Sequence, residues 1–184
     1  FALETEHGLF ERDPAAYEAY QLAHKDNPPK TGVAFNLVSK LLGMNEAGKP
    51  QRVDVMIISR AKPVIAHRVF NACRHYKLPI ERGVFTNGGY TAAYAWAFGA
   101  HLFLSANEDD VRAALNFGVP AARIMSNAEA LAARHPTEVR LAFDGDSVLF
   151  SDQAEAVYSE GGLSAFRAHE VARSDEPLPQ GPLF

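Results

Sequence analysis

The sequence predicts an α/β protein with a mainly parallel sheet and flanking helices. Three observations carry this reading. From Val53 onward, short apolar runs alternate with stretches of helical spacing, the pattern of βαβ units. The strongest runs, Val53–Ile58 and Val139–Phe143, are the kind found in strands buried on both faces. Each is followed at its carboxyl end by polar residues, where open α/β sheets bind their ligands.

Taken in order, residues 1–12 give no clear periodic signal. Asp13-Pro14 marks a helix start, with Asp as N-cap and Pro at the first helical position, running to about Lys25. Asn27-Pro28-Pro29-Lys30-Thr31-Gly32 is a break, and a second helix covers Val33–Leu42. After the Val53–Ile58 strand, Val64–Tyr76 has Ile65, Val69 and Cys73 at helical spacing. Ile80–Phe85 reads as a strand, Asn87-Gly88-Gly89 as a loop, Ala92–Phe98 as a short helix and His101–Leu104 as a strand. Asn107-Glu108-Asp109-Asp110 starts a helix, since acidic side chains complement its exposed N–H groups. Ala122–Met125 is a further strand, and Asn127–Arg134 a helix before the Val139 strand.

The chain has 184 residues, 47% of them hydrophobic and 22% charged, enough for a real core. A net charge of −4 advertises no nucleic-acid surface, and no apolar run is long enough for a membrane span. Neither nucleic acid nor membrane is therefore an expected partner. The single cysteine, Cys73, fits a reducing compartment and a small core residue better than a nucleophile. Phe1 in place of an initiating Met gives the expectation of a fragment or a processed form. The seven histidines show no ligand spacing, and Tyr94, Trp96 and Phe98 are expected to fill core. Tyr90, in the glycine-rich loop, could stack on a base.

The chemistry concentrates in Leu141-Ala142-Phe143-Asp144-Gly145-Asp146-Ser147-Val148-Leu149-Phe150. Two carboxylates two residues apart at the end of a strand can share a Mg²⁺, a hard ion that keeps several waters. One can attack phosphorus while the other moves protons. The alternative is an Asp-Gly turn between two strands. Apolar strand, Asp-x-Asp, apolar run resembles the first motif of the haloacid dehalogenase (HAD) superfamily. The extension to Ser151-Asp152, with the terminal Pro177-Leu178-Pro179-Gln180-Gly181-Pro182-Leu183-Phe184, resembles the cytosolic type I 5'-nucleotidase family over nearly the whole chain.

That resemblance implies a Rossmann-like HAD-type sheet, a cytoplasmic enzyme and hydrolysis of nucleoside 5'-monophosphates with Mg²⁺. It assigns nucleophile and proton carrier to Asp144 and Asp146, which also hold the metal. Gly145 belongs to the phosphate cradle. Ser59, after Val53–Ile58, fits the superfamily's second motif, and Arg60, Asn87 and Gly88 are candidates for meeting substrate. Two alternatives stay open: a phosphatase of another small phosphate ester, or a non-catalytic unit that binds nucleotide or a partner chain, including a second copy of itself.

An internal repeat is visible as well. Phe150–Phe184 laid under Phe1–Phe35 without gaps gives ten identities in 35 positions, among them Phe1 with Phe150, Pro28 with Pro177 and Gly32 with Gly181. The expected organisation is two tandem HAD-like units, both incomplete: residues 1–137 a degenerate first unit, and residues 138–184 the start of a second, catalytic one. The family's third motif needs a lysine and none follows Lys77; its fourth needs acids after a strand, where Ser105-Ala106 stand. The chain by itself is therefore expected to be weakly active or inactive.

Overall fold

A computed structural model describes residue 1, residues 4–125 and residues 138–181. The chain divides into two compact units, Phe1–Val139 and Arg140–Phe184.

The first unit begins with a helix pair, α1 (Glu4–Arg12) and α2 (Pro14–Ala23). Asp13 breaks them apart as the sequence predicts. Its backbone is extended and its carboxylate accepts the N–H groups of Ala15 and Ala16, both at 3.0 Å, while Pro14 supplies a preset first helical position. Helix α1 had no periodic signal. Helix α3 (Phe35–Leu42) presents Leu42 to the core.

The alternating part then follows: β1 (Met56–Ser59), a 3₁₀ turn at Pro63–Ile65, α4 (Ala66–His75), β2 (Arg82–Phe85), α5 (Ala92–Ala97), β3 (Phe103–Ser105), α6 (Glu108–Asn116) and β4 (Ala121–Arg123). The expected start of β1 at Val53 is three residues early. The Asn45 side chain accepts the N–H groups of Arg52 and Val53 and donates to the Val53 carbonyl, which holds Val53 outside any ladder. Strands β1 and β2 pair in parallel, Ile57 opposite Gly83; β3 and β4 pair in parallel, Leu104 opposite Ala122. The parallel α/β architecture is thus the expected one, among the described residues as two two-stranded sheets. The helix expected at Asn127–Arg134 lies outside the described residues.

Helices cover β1 on both faces. Ile57 packs with a cluster of Leu42, Cys73, Leu78 and Ile80, while its neighbour Ile58 packs with Ala92, Ala95, Phe103, Ala114 and Val119. That alternation is the period-two geometry of a strand. Burial raises the Cys73 thiol above its usual range, so it stays neutral at physiological pH, a core group rather than a nucleophile. The expectation for Tyr94, Trp96 and Phe98 fails: all three are exposed, Trp96 at 64%. Helix α5 turns its small residues Ala92 and Ala95 inward, and the rings fall on the other side.

A buried polar knot ties the first helix pair to α4. The Arg68 guanidinium donates to Glu6 Oε1 at 2.9 Å, Gln21 Oε1 at 2.8 Å and the Asn27 carbonyl at 3.0 Å, and lies 5.7 Å from the Tyr20 ring centre. Burial first, then the Glu6 carboxylate, pushes the Tyr17 hydroxyl pKa upward.

Residues 138–144, where the first unit ends and the second begins, form no strand, contrary to expectation. A strand exists only against a partner edge, and among the described residues none pairs with this stretch. A tight loop at Gly145–Leu149 follows, with Asp146 extended and Ser147 at positive φ, then α7 (Gln153–Ala172), interrupted at Gly162, where φ is +68°. No described residue of the second unit is buried. Among the described residues of the chain, no helix is long and apolar enough to cross a membrane.

Candidate active site

The seven candidate residues fall into two groups. Ser59, Arg60, Asn87 and Gly88 come together at the carboxyl ends of β1 and β2. The Thr86 N–H donates to the Ser59 carbonyl at 2.9 Å, Asn87 N–H to the Ala61 carbonyl at 3.1 Å and Gly88 N–H to the Arg60 carbonyl at 2.7 Å. The turn needs positive φ at two consecutive residues, +51° at Asn87 and +87° at Gly88, which is why Asn-Gly stands there. Ser59 Oγ accepts the Ala61 N–H at 3.1 Å.

Arg60 is not a free cation. Its Nε donates to Asp110 Oδ1 at 3.0 Å, and a second guanidinium N–H reaches the same oxygen. Thr91 Oγ1 donates to it as well, at 3.0 Å, and Asp110 is largely buried. Asn107 caps α6 by accepting the Asp110 N–H at 3.0 Å. The acidic start of α6 is a helix N-terminus, as its sequence suggests, but Asp110 also anchors Arg60 across the unit. An arginine directly after a buried strand and three carboxylates after another were the available signals for this pairing.

Asp144, Gly145 and Asp146 lie in the second unit. Asp144 is extended and exposed, and its Oδ1 accepts the N–H of Gly145 at 2.8 Å. Asp146 is exposed too, and Ser147 takes φ of +61°. The Phe150 N–H closes the loop onto the Gly145 carbonyl at 2.9 Å. The terminal segment clasps this loop from outside: Ser151 N–H donates to the Pro179 carbonyl and Gly181 N–H to the Leu149 carbonyl, both at 2.9 Å. The Asp-Gly turn and the Asp pair are therefore one object: a tight loop that presents two carboxylates to solvent.

Gly181 makes that clasp possible. A Cβ there would stand 2.5 Å from the Val148 carbonyl oxygen and closer still to that of Phe150. Backbone cannot yield as a side chain does, so Gly181→Ala should cost about 2 kcal/mol locally. Amide exchange at Ser151 should then quicken roughly thirtyfold. An unchanged Ser151 amide would show that the clasp does not hold the loop.

A family model described as 5'-nucleotidase matches residues 1–184. The chain belongs to the 5'-nucleotidase family. Cytosolic 5'-nucleotidase 1B of Homo sapiens is 31% identical over 173 residues, which cover 91% of this chain and 28% of the relative. The chain thus spans just over a quarter of the length of that curated 5'-nucleotidase. No solved structure matches it. Membership of the 5'-nucleotidase family agrees with the resemblance drawn from the Asp144-Gly145-Asp146 motif and the terminal segment.

Proposed function

We propose that the polypeptide to which these residues belong hydrolyses nucleoside 5'-monophosphates, AMP among them, with Asp144 as nucleophile. The observation that carries the reading is the exposed, clasped loop bearing Asp144 and Asp146 in a chain of the 5'-nucleotidase family. An Asp144 carboxylate oxygen attacks phosphorus and the bond from phosphorus to the 5'-oxygen breaks. Asp146 gives its proton to that oxygen, and the nucleoside leaves. Water then attacks the aspartyl-phosphate and passes a proton back to Asp146; phosphate leaves and the Asp144 carboxylate is restored.

The donor set suits Mg²⁺. Asp144 and Asp146 offer hard carboxylate oxygens, both exposed. An ion that keeps most of its waters needs no more protein ligands than that. Bound there by Asp144 and Asp146, it would offset the repulsion between carboxylate and phosphate. Backbone N–H groups of the loop would receive the phosphate oxygens, that of Gly145 among them once it leaves Asp144 Oδ1.

The second unit is the natural home of this reaction. In the first, Ser59 fits the second HAD motif, but no lysine follows Lys77, and Arg60 is engaged by Asp110. We read the first unit as a degenerate HAD-like copy and the second as the start of the catalytic one. The relative's name contains the word cytosolic, which supports a cytoplasmic location here.

The test is phosphate release from a panel of nucleoside monophosphates with Mg²⁺, on this chain and on a longer polypeptide extended past Phe184. The longer polypeptide should turn over and the 184-residue chain should be weak or silent. Cleavage of other phosphate esters but of no nucleotide would leave the superfamily reading and remove the nucleotidase one.

A further inference from the structure

The terminal segment holds one side chain that the proposed mechanism does not use. From Pro177 to Gly181, Gln180 alone carries a hydrogen-bonding side chain. It is exposed, and among the described residues its carboxamide has no hydrogen-bond partner.

The clasp fixes where that side chain goes. Ser151 N–H donates to the Pro179 carbonyl and Gly181 N–H to the Leu149 carbonyl, so Phe150 and Gln180 face each other, antiparallel, between those two bonds. A pair of this kind exchanges no hydrogen bond of its own. Its Cα atoms approach to roughly 4.5 Å, and its side chains leave on the same side of the ladder. Phe150 shows which side this is. Its ring turns back onto the loop, where a Cβ built on Gly145 would lie 3.9 Å from Phe150 Cδ2. Gln180 therefore stands beside that ring, on the side of the ladder that carries the Asp144–Asp146 loop. Pro177 and Pro179 each fix their own φ, so the segment has fewer alternatives to give up on reaching this place.

The fold itself needs no carboxamide there, because both bonds of the clasp are made by backbone. The internal repeat makes the same point. Laying Phe150 on Phe1 carries the break at Gly162 onto the break at Asp13, and Gly181 onto Gly32. A Cβ on Gly32 would stand 3.0 Å from the Phe1 backbone, so the close approach is kept in the first unit. Gln180, however, falls on Thr31. The longer side chain, with both a donor and an acceptor, goes with the unit that bears Asp144 and Asp146.

We propose that Gln180 binds the ribose hydroxyls of the nucleoside monophosphate; the inference rests on the reaction proposed above and adds sugar recognition to it. With phosphate at Asp144, the sugar is the next group along the substrate, and Gln180 springs from the strand beside that loop. A carboxamide donates and accepts, as a hydroxyl does, so it can serve both hydroxyls of the pair. It carries no charge and adds nothing to the hold on phosphate itself, so only substrates that have the sugar hydroxyls gain from it.

Phosphate release by the longer polypeptide, parent and Gln180→Met, on AMP, 2',3'-dideoxy-AMP and phenyl phosphate tests this. Methionine keeps the length of the side chain and loses its hydrogen bonds, and amide exchange at Ser151 should not change. On AMP, kcat/KM should fall roughly tenfold, most of it through KM. On the other two esters it should stay within about twofold of the parent. Equal losses on AMP and dideoxy-AMP would overturn the proposal in favour of a contact with the base. Equal losses on all three would make Gln180 a support of the loop, and no loss on AMP would show that it meets no part of the substrate. Those three results leave the nucleotidase reading standing. A parent that cleaves phenyl phosphate but no nucleotide would instead remove that reading, and this proposal with it.

Discussion

Asp144→Asn in the longer polypeptide should lower phosphate release from AMP by roughly 10³-fold or more. The substitution is nearly isosteric, and the amide oxygen can still accept the Gly145 N–H that Asp144 Oδ1 accepts at 2.8 Å. The loop therefore keeps its shape, and what is lost is the anionic oxygen that bonds to phosphorus. Asp146→Asn removes a proton carrier instead. Its cost should lie at about 10²- to 10⁴-fold, and should shrink on a phenolic phosphate whose leaving group needs little protonation. A rate within tenfold of the parent for Asp144→Asn would sink the aspartyl-phosphate mechanism. Equal losses on alkyl and phenolic esters for Asp146→Asn would sink its role as acid.

Arg68→Met should lower the stability of the first unit by about 3–5 kcal/mol, the cost of breaking a buried pair by removing one partner. The Arg68 side chain is 6% exposed and that of Glu6 13%. Without the guanidinium, Glu6 is left as a largely buried carboxylate with no counter-charge. Gln21 Oε1 and the Asn27 carbonyl also lose their donor. Gln21 is already under-satisfied, since its Nε2 is buried without an acceptor. Arg68→Lys should recover only part of the loss, because an ammonium cannot reach three acceptors set for a planar fork. Adding Glu6→Gln to Arg68→Met should also return part of it, since the uncompensated charge is then gone. Urea denaturation followed by far-UV circular dichroism measures the three variants against the parent; a loss below about 1 kcal/mol for Arg68→Met would show the knot to be idle.

The same knot explains what the sequence could not show. Glu4–Arg12 carries charges in no helical order, and its helix gains a distant partner through Arg68, 62 positions from Glu6. No local pattern encodes that contact. The elements that were legible owe their visibility to local rules: Asp13-Pro14 for α2, the Ile65, Val69, Cys73 spacing for α4, Asn107 and its acids for α6. Val139–Phe143 is the opposite case. Its pattern is that of a buried strand, but pairing is a property of two segments, and among the described residues none pairs with it.

At the candidate site, Asp144-Gly145-Asp146 was legible because the motif is contiguous. Ser59, Arg60, Asn87 and Gly88 could be singled out only one by one; their meeting depends on the pairing of β1 with β2. The capture of Arg60 by Asp110, fifty positions away, was not legible either.

The two helix pairs turn the same corner by different means. At Asp13-Pro14 the bend is set by a capping carboxylate and a ring that fixes φ; at Gly161-Gly162 it is set by residues with no side chain at all. Proline narrows the conformations open to an unfolded chain and glycine widens them, so the second bend loses more freedom when it forms. The helix pair that follows the Asp144 loop is therefore the entropically dearer one. Order in that loop should respond to temperature sooner than order anywhere in the first unit's helix pair.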